Sequence, residues 1–245
     1  ATSLLAMASR SMPKLVVQIP CYNEEQTIES AIAAIPRSIE GVSSVEILIV
    51  DDGSRDRTVL VARAAGADHV VSHPENRGLA RAFMTGIDTS VRLGADIIVN
   101  TDADNQYDAR DIPKLIAPIL EGNAEFVIGA RDTDSIHHFS IFKKILQRVG
   151  SWTVRRASHT TVPDAPSGFR AFSRSAAQRL NVFSDYTYTL ETIIQAGLKG
   201  MAIRSVPIRT NAYTRPSRLV KGNISYVMRS MSTILRISVT YSPLR

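Results

Sequence analysis

The sequence predicts an α/β protein built on a mostly parallel, doubly wound sheet with helices on both faces. Three observations carry this. Short apolar runs rich in Val and Ile recur through the first half of the chain. Between them lie segments whose apolar residues fall at helical spacing. The two kinds of segment alternate, and such alternation builds a parallel sheet through right-handed crossovers.

Leu15–Pro20 is an apolar run closed by proline and reads as the first strand. The loop Cys21-Tyr22-Asn23-Glu24-Glu25 follows. Ile28, Ile32 and Ile35 then mark a helix that stops near Pro36. Val45–Val50 is the second strand. It ends in Asp51-Asp52-Gly53-Ser54-Arg55-Asp56, a turn that also caps a helix through Ala65. A short strand over His69–Val71 precedes Asn76-Arg77-Gly78, which opens a helix to about Leu93. Asp96–Asn100 reads as a buried strand, Ile112–Leu120 as a helix and Phe126–Gly129 as another strand. Further on, Pro207 ends a strand.

A chain of 245 residues, 44% hydrophobic and 21% charged, has the ordinary composition of a globular protein and enough length for a substantial core. Its single cysteine, Cys21, excludes an internal disulfide and fits a reducing compartment. Placed at a strand end, it reads as an inert packed thiol. No apolar run approaches the ~18–20 residues that span a bilayer. Residues 1–13 are expected to be a disordered tail or a remnant foreign to the domain. The net charge of +6 is uneven: no acidic residue follows Glu191, whereas Lys199, Arg204, Arg209, Arg215, Arg218, Lys221, Arg229, Arg236 and Arg245 do. Such asymmetry implies an anionic partner.

The stretch with the most chemistry is Thr101-Asp102-Ala103-Asp104-Asn105-Gln106, directly after a strand. Ligands of open α/β sheets bind just beyond the carboxyl ends of the strands. In an extended segment residues i and i+2 project to one side. Asp102 and Asp104 can therefore converge, with Gln106 following if the chain stays extended. Two carboxylates and an amide oxygen form a hard oxygen cluster suited to Mg²⁺ or Mn²⁺. The same residues would also make a solvated acidic turn with Asp108 as the N-cap of the next helix. The phosphate-binding signatures Gly-x-Gly-x-x-Gly and Gly-x-x-x-x-Gly-Lys-Ser/Thr are missing, which disfavours a dinucleotide-dependent oxidoreductase and a P-loop NTPase.

Pro20-Cys21-Tyr22-Asn23-Glu24-Glu25, Val50-Asp51-Asp52-Gly53-Ser54-Arg55-Asp56, Asn76-Arg77-Gly78 and Asp102-Ala103-Asp104-Asn105-Gln106, in this order, resemble the successive motifs of family 2 glycosyltransferases. The nearest branch is that of the dolichol-phosphate mannose synthase-like enzymes. The resemblance spans about residues 14 to 220. It implies the GT-A fold, a three-layer α/β/α sandwich, and a nucleotide-sugar donor linked to GDP or UDP. It further implies that Pro20, Tyr22, Glu24, Asp52 and Arg81 surround the nucleotide-sugar. Asp102, Asp104 and Gln106 would be the metal-side residues, and Asp102 would also lie against the donor. Family members usually carry Gly, Leu or Met where Asn105 stands.

In the second half, Gly129-Ala130-Arg131 resembles the family's strand end with a cation aimed at the site. Lys143, Lys144 and Arg148 follow, the last two on one helical face. Pro163-Asp164-Ala165-Pro166-Ser167-Gly168-Phe169-Arg170 resembles the stretch that closes the pocket, with Arg170 near the transferred group. Arg131, Lys144, Arg148 and Arg170 are thus expected around an acceptor phosphate, with Asp102, Asp104, Arg131 and Arg170 as the catalytic set. Thr214-Arg215-Pro216-Ser217-Arg218-Leu219 resembles a family loop that brings Ser217 and Arg218 to the donor diphosphate. An alcohol acceptor needs a general base, and the second half offers Asp164, Asp185 and Glu191, none beside another carboxylate. A phosphate acceptor needs none. From Asn223 the pattern is helical. Ile224, Val227, Met228, Met231, Ile234 and Leu235 trace one face and Arg229 and Arg236 another, a form that either packs on the domain or lies in a membrane interface. His137-His138 and Trp152 are expected to be unexceptional, and the basic tail lacks the interleaved aromatics of a nucleic-acid binder.

The division expected is residues 14–222 as a catalytic domain and 223–245 as a basic amphipathic helix. Within the domain, 14–131 is the nucleotide-sugar and metal half and 132–222 the acceptor half. The reading is an inverting, metal-dependent transferase that glycosylates a polyprenyl phosphate at the cytoplasmic face of a membrane. Two alternatives stand beside it. One is the same fold acting on a soluble saccharide or small-molecule hydroxyl. The other is a nucleotide-sugar-binding protein without turnover.

Overall fold

The computed structural model describes residues 12–131, 162–183 and 188–211. Seven strands form one sheet: β1 Lys14–Cys21, β2 Ser44–Asp51, β3 His69–Ser72, β4 Ile97–Asn100, β5 Phe126–Arg131, β6 Arg170–Ser173 and β7 Ile203–Ile208. The helices are α1 Ile28–Ala33, α2 Thr58–Ala64, α3 Leu79–Arg92, α4 Ile112–Leu120, α5 Arg174–Arg179 and α6 Thr189–Leu198, with a 3₁₀ turn, Ala109–Asp111, leading into α4. The order across the sheet is β3-β2-β1-β4-β6-β5-β7. β1 to β4 are parallel, as are β5 and β7, and β6 runs against both of its neighbours.

Every strand and helix expected up to Phe126–Gly129 is present, within a residue or two at its ends, except that α1 stops at Ala33, short of Pro36. The antiparallel β6 was not foreseen, and the reason is local. It is four residues long, opens on a charged side chain, and has neither alternation nor a long apolar run. Pro207, expected to end a strand, is the last residue but one of β7. β7 is the sheet edge, where a missing N–H leaves no ladder bond unmade.

The sheet is buried on both faces, which is why β1, β2 and β4 read as near-continuous apolar runs. Alternate residues supply two separate cores. Leu15, Val17, Ile19, Ile47, Ile49, Ile97 and Val99 face α1 and α4. Val16, Leu48, Val50 and Ile98 face α3, α5 and α6. The result is the three-layer arrangement. Polar side chains interrupt the second core, Gln18 among them. Gln18, fully buried, donates from Nε2 to the Phe83 carbonyl (3.3 Å) and to Asn100 Oδ1 (2.9 Å). It fits because Gly86 of α3 has no side chain: a Cβ there would stand 2.5 Å from Gln18 Oε1.

The chain leaving β7 returns to the loop after β4. Thr210 bridges Tyr107, Asp108 N–H donates to the Arg209 carbonyl (3.2 Å), and Asn211 N–H donates to the Gln106 carbonyl (2.8 Å). The anchor is Asp111, whose side chain is buried. It accepts from Arg209 N (2.7 Å) and Arg209 Nη2 (2.7 Å) and pairs with Lys114 Nζ (2.9 Å). Residues 1–11, 223–245 and the cations Lys143, Lys144 and Arg148 lie outside the described residues, as do His137, His138, Trp152, Ser217 and Arg218.

Burial works to raise the Asp111 carboxyl, but the bonds from Arg209 and Lys114 outweigh it and hold it well below the usual carboxylate range. A carboxyl depressed by folding stabilises the fold above its unfolded pKa, about 4, and loses that contribution as pH falls toward its folded value. Asp111→Ala is therefore expected to cost about 2 kcal/mol at pH 7, allowing for the exposure of Arg209. It should also flatten the loss of stability below about pH 4. Urea denaturation across pH checks both; equal midpoints for variant and wild type at pH 7 would refute the anchor.

Candidate active site

The loops that leave β1, β2 and β4 share one edge of the sheet, because parallel strands end at the same side. The first two loops brace each other. Asn23 N–H donates to Ser54 Oγ (2.8 Å), Arg55 N–H to Asn23 Oδ1 (2.8 Å) and Glu24 N–H to Thr58 Oγ1 (2.7 Å). Asn23 takes a left-handed conformation (φ 54°), tolerated by its short polar side chain. Tyr22 is left exposed beside this brace. Glu24 is half-buried, and its Oε2 accepts from Thr27 Oγ1 (2.9 Å). Arg81 is exposed on the first turn of α3.

Two of the expected nucleotide contacts need correction. Pro20 is not a loop residue: it is buried within β1, paired in register with Val50. Asp52 is also turned inward, 3% exposed. Its carboxylate accepts from Arg77 N (2.9 Å) and Gly78 N (2.8 Å) and bonds His73 Nδ1 (2.7 Å). His73 Nε2 in turn meets Thr85 Oγ1 (3.0 Å) on α3. Asp52 thus clamps the turn before α3 and faces main chain rather than a ligand. The sequence carried no signal for His73, which is brought to Asp52 only by the β2–β3 pairing.

The loop after β4 carries Asp102 and Asp104, both half-buried. It is not extended. Asn105 is left-handed (φ 55°), and Gln106 N–H donates to Asp104 Oδ1 (3.1 Å). The carboxylates therefore approach across a tight turn, and the expectation that an extended strand would align Asp102, Asp104 and Gln106 does not hold. Asn211 Nδ2 fastens the turn through the Asn105 carbonyl (2.8 Å). Asp108 caps the 3₁₀ turn through Arg110 N–H (3.0 Å), as a capping aspartate should.

Among the described residues the Asp102 carboxylate makes no hydrogen bond. Burial, and then the charge of Asp104, push its pKa up to about 7. Two carboxylates held together without donors between them fit a divalent cation, which would relieve both causes at once. No group of three or more His, Cys, Asp or Glu surrounds them among the described residues. The fit is thus to Mg²⁺ or Mn²⁺, which take few protein ligands, rather than to a closed structural site.

Arg131 ends β5 with its side chain 17% exposed. It is gripped by Asp164, with Nε to Oδ2 at 2.8 Å, Nη2 to Oδ1 at 2.9 Å and its own N–H to Oδ2 at 3.1 Å. It is close enough to Asp102 to draw that carboxyl's pKa down against burial. Arg170 is elsewhere. It is fully buried at the start of β6 and donates to the carbonyls of Ser167 (2.6 Å), Ala165 (2.6 Å) and Thr189 (2.8 Å) and to Thr192 Oγ1 (2.6 Å). The expected catalytic and phosphate-binding roles of Arg170 are corrected accordingly: its donors face main chain in the interior. Burial lowers its pKa to about 10, so it stays a cation at neutral pH. Glu191 is also internal, accepting at Oε1 from Phe183 N–H (2.9 Å) and Gln195 Nε2 (3.2 Å). Cys21 is buried with its thiol pKa raised, first by burial, in keeping with an inert packed group.

Residues missed in the sequence line the floor of the site. Tyr107, 3% exposed, accepts at its hydroxyl from Gly168 N–H (2.9 Å) and stacks on Phe169. Burial is the first cause raising its pKa to about 12, so the phenol stays protonated. Asn100 Nδ2 reaches both the Gly168 carbonyl and Tyr188 Oη (2.9 Å each). Adjacency to Gln106 was the one available sign for Tyr107.

With this geometry the comparisons with known proteins agree. The family model described as Glycosyl transferase family 2 matches residues 16–180. The UDP-N-acetylglucosamine–dolichyl-phosphate N-acetylglucosaminyltransferase of Methanococcus voltae is 31% identical, over 78% of this chain and 83% of that protein. Polyprenol monophosphomannose synthase of Mycolicibacterium smegmatis is 25% identical, over 81% and 78%. Glucosyl-3-phosphoglycerate synthase of Mycobacterium tuberculosis, crystallised with Mn²⁺, UDP and glucosyl-3-phosphoglycerate, superposes with a TM-score of 0.70 at 21% identity, over 95% of this chain and 81% of that one.

Arg170→Lys is expected to destabilise the fold by about 3 kcal/mol, since three donors on a flexible stem replace five in a fixed plane among buried carbonyls. Chemical denaturation measures this. A variant as stable as wild type but defective in phosphate binding would return Arg170 to the site.

Proposed function

We propose that this chain, which belongs to glycosyl transferase family 2, moves a sugar with inversion from a UDP- or GDP-linked donor to the phosphate of a polyprenyl phosphate. The observation that carries the choice of acceptor is the pairing of Arg131 with Asp164 at 2.8 and 2.9 Å beside Asp102. It presents a guanidinium, held by its own carboxylate, at the edge of the site. It also occupies the carboxylate that an alcohol acceptor would need as a base. Of the other two candidate bases, Asp185 lies outside the described residues, and Glu191 is 1% exposed and bonded to Phe183 and Gln195. An acceptor that is already an anion needs no proton removed. The names of the two curated relatives support the same class of acceptor.

Each residue of the cleft has a task in this reading. Tyr22 and Glu24, on the braced loop after β1, flank the nucleoside of the donor. Asp52 shapes that pocket by fixing the turn at Arg77 and Gly78 rather than by touching the nucleotide. Asp102 and Asp104 would hold Mg²⁺ or Mn²⁺. When bound, the ion supplies the positive charge that offsets the diphosphate and the negative charge growing on the leaving group. Arg131 meets the acceptor phosphate, fixed in direction by its bidentate partner. Electrostatic stabilisation by groups already in place is commonly the largest single contribution to such a reaction. The acceptor lipid would set the reaction at the cytoplasmic face of a membrane, to whose anionic surface a chain without acidic residues after Glu191 is drawn. No helix among the described residues is long and apolar enough to cross a membrane.

The test is transfer of labelled sugar from a panel of UDP- and GDP-sugars to a short-chain polyprenyl phosphate in detergent, with and without Mn²⁺. Metal-dependent labelling of the lipid is expected. Labelling of a soluble hydroxyl acceptor in its place would overturn the choice of acceptor. Asp104→Ala should abolish transfer while the protein stays folded. Arg131→Lys keeps the charge and loses the fork. It should raise KM for the lipid phosphate by about tenfold, the effect of one weakened charge-assisted bond, and leave nucleotide affinity unchanged. Equal losses on both sides would remove Arg131 from the acceptor site.

A further inference from the structure

Asp102 must keep one position if it is to face a cation, yet no hydrogen bond among the described residues restrains its carboxylate. What lies against it is bare main chain. A Cβ built on Gly168 would stand 2.8 Å from Asp102 Oδ1, 3.0 Å from Oδ2 and 3.1 Å from the Tyr188 hydroxyl. Any side chain there would displace the carboxylate, so the glycine acts as a stop for Asp102. The stop is itself held on both sides. Its carbonyl accepts from Asn100 Nδ2 (2.9 Å), and its N–H donates to the Tyr107 hydroxyl (2.9 Å). Tyr107 stacks on the next residue, Phe169, with ring centres 5.3 Å apart and planes within 13°.

We propose that Tyr107 is a positioning residue for Asp102: its hydroxyl seats Gly168 against the carboxylate and so sets where the carboxylate stands. Tyr107 directly follows Gln106. Through Gly168, the end of the carboxylate motif is thereby tied to its beginning, by way of a segment some sixty residues further along the chain. This inference rests on the reading that Asp102 helps to hold a divalent cation. Without the hydroxyl, the ring still stacks on Phe169, but the Gly168 N–H loses its partner and the stop is free to shift. Groups that orient a metal ligand typically change metal affinity by about 10- to 100-fold when removed.

The experiment is titration of Mn²⁺, followed by the electron paramagnetic resonance of the free ion, into wild type and Tyr107→Phe in saturating UDP or, separately, GDP. Nucleotide affinity without metal and thermal unfolding are measured alongside. A fall in Mn²⁺ affinity of about 10-fold or more, with nucleotide affinity retained and the variant folded, is the expected result. Unchanged Mn²⁺ affinity in the folded variant overturns the proposal, as does a lowered unfolding temperature with no change in affinity. Gly168→Ala probes the same contact from the other side. Its methyl must push Asp102 aside and weaken Mn²⁺ binding, and undiminished binding in that variant also refutes the idea. The two readings fail separately. Wild-type protein that neither binds Mn²⁺ nor needs it for transfer overturns the metal assignment. Normal metal-dependent transfer with unaltered Mn²⁺ affinity in Tyr107→Phe removes the positioning role alone.

Discussion

A single buried cation holds the catalytic end of this protein together. Arg170 opens β6, the strand inserted against the direction of both its neighbours, and lies wholly inside the structure. Its guanidinium feeds carbonyls from the segment that carries Asp164 and Gly168 and from the first turn of α6. Two of those carbonyls belong to irregular chain packed away from water, where an unpaired polar group is costly. An apolar residue would take this donor from the Ser167 and Ala165 carbonyls, whereas five donors in a rigid plane reach all three carbonyls together. The rings of Phe126 and Tyr188, each with its centroid 5.6 Å from the guanidinium carbon, give the cation polarisable faces in place of solvent.

The site follows from that framework. Because the 162–169 segment is fixed to the sheet, Asp164 can grip Arg131 and Gly168 can lie against Asp102. The first contact sets a cation at the rim, and the second sets a carboxylate at the floor. Asp102 and Asp104 are then confined together without donors to share, and the carboxyl of Asp102 is driven toward neutrality by burial and by its neighbour. A pair in this condition gains more from a divalent ion than a solvated pair would, since both the desolvation and the repulsion are relieved by one charge. On the opposite side, the clasp of Arg209, Thr210 and Asn211 on residues 105–111 holds the same loop from β7. The carboxylate motif is therefore restrained from both halves of the sheet.

Much of this was legible in the chain itself. Strands buried on both faces announce themselves as apolar runs, and β1, β2 and β4 were readable for that reason. Asp102 and Asp104 stood out because two carboxylates one residue apart, with an amide after them, make a hard oxygen cluster just beyond a buried strand. The errors share a cause. Residue type and place in a motif point to Asp52 and Arg170 as ligand contacts, but a carboxylate or guanidinium serves buried main chain as well as it serves a ligand. Which of the two it does depends on what the fold brings within 3 Å. His73 and Tyr107 carried little sign because their partners, Asp52 and Gly168, are distant in sequence.

By itself the sequence determined the alternation of strands and helices, the layering, the edge of the sheet that carries the candidate site, and the family. These rest on local periodicity and on short motifs, and both are properties of neighbouring residues. Only the tertiary structure decided the direction of β6, the inward turn of Asp52 and Arg170, the capture of Asp164 by Arg131, and the seat of Asp102 on Gly168. Most of these are pairings across a long stretch of chain, and all, the short-range bonds of Arg170 to Ser167 and Ala165 included, are settled by which buried donors and acceptors must find one another once water is excluded.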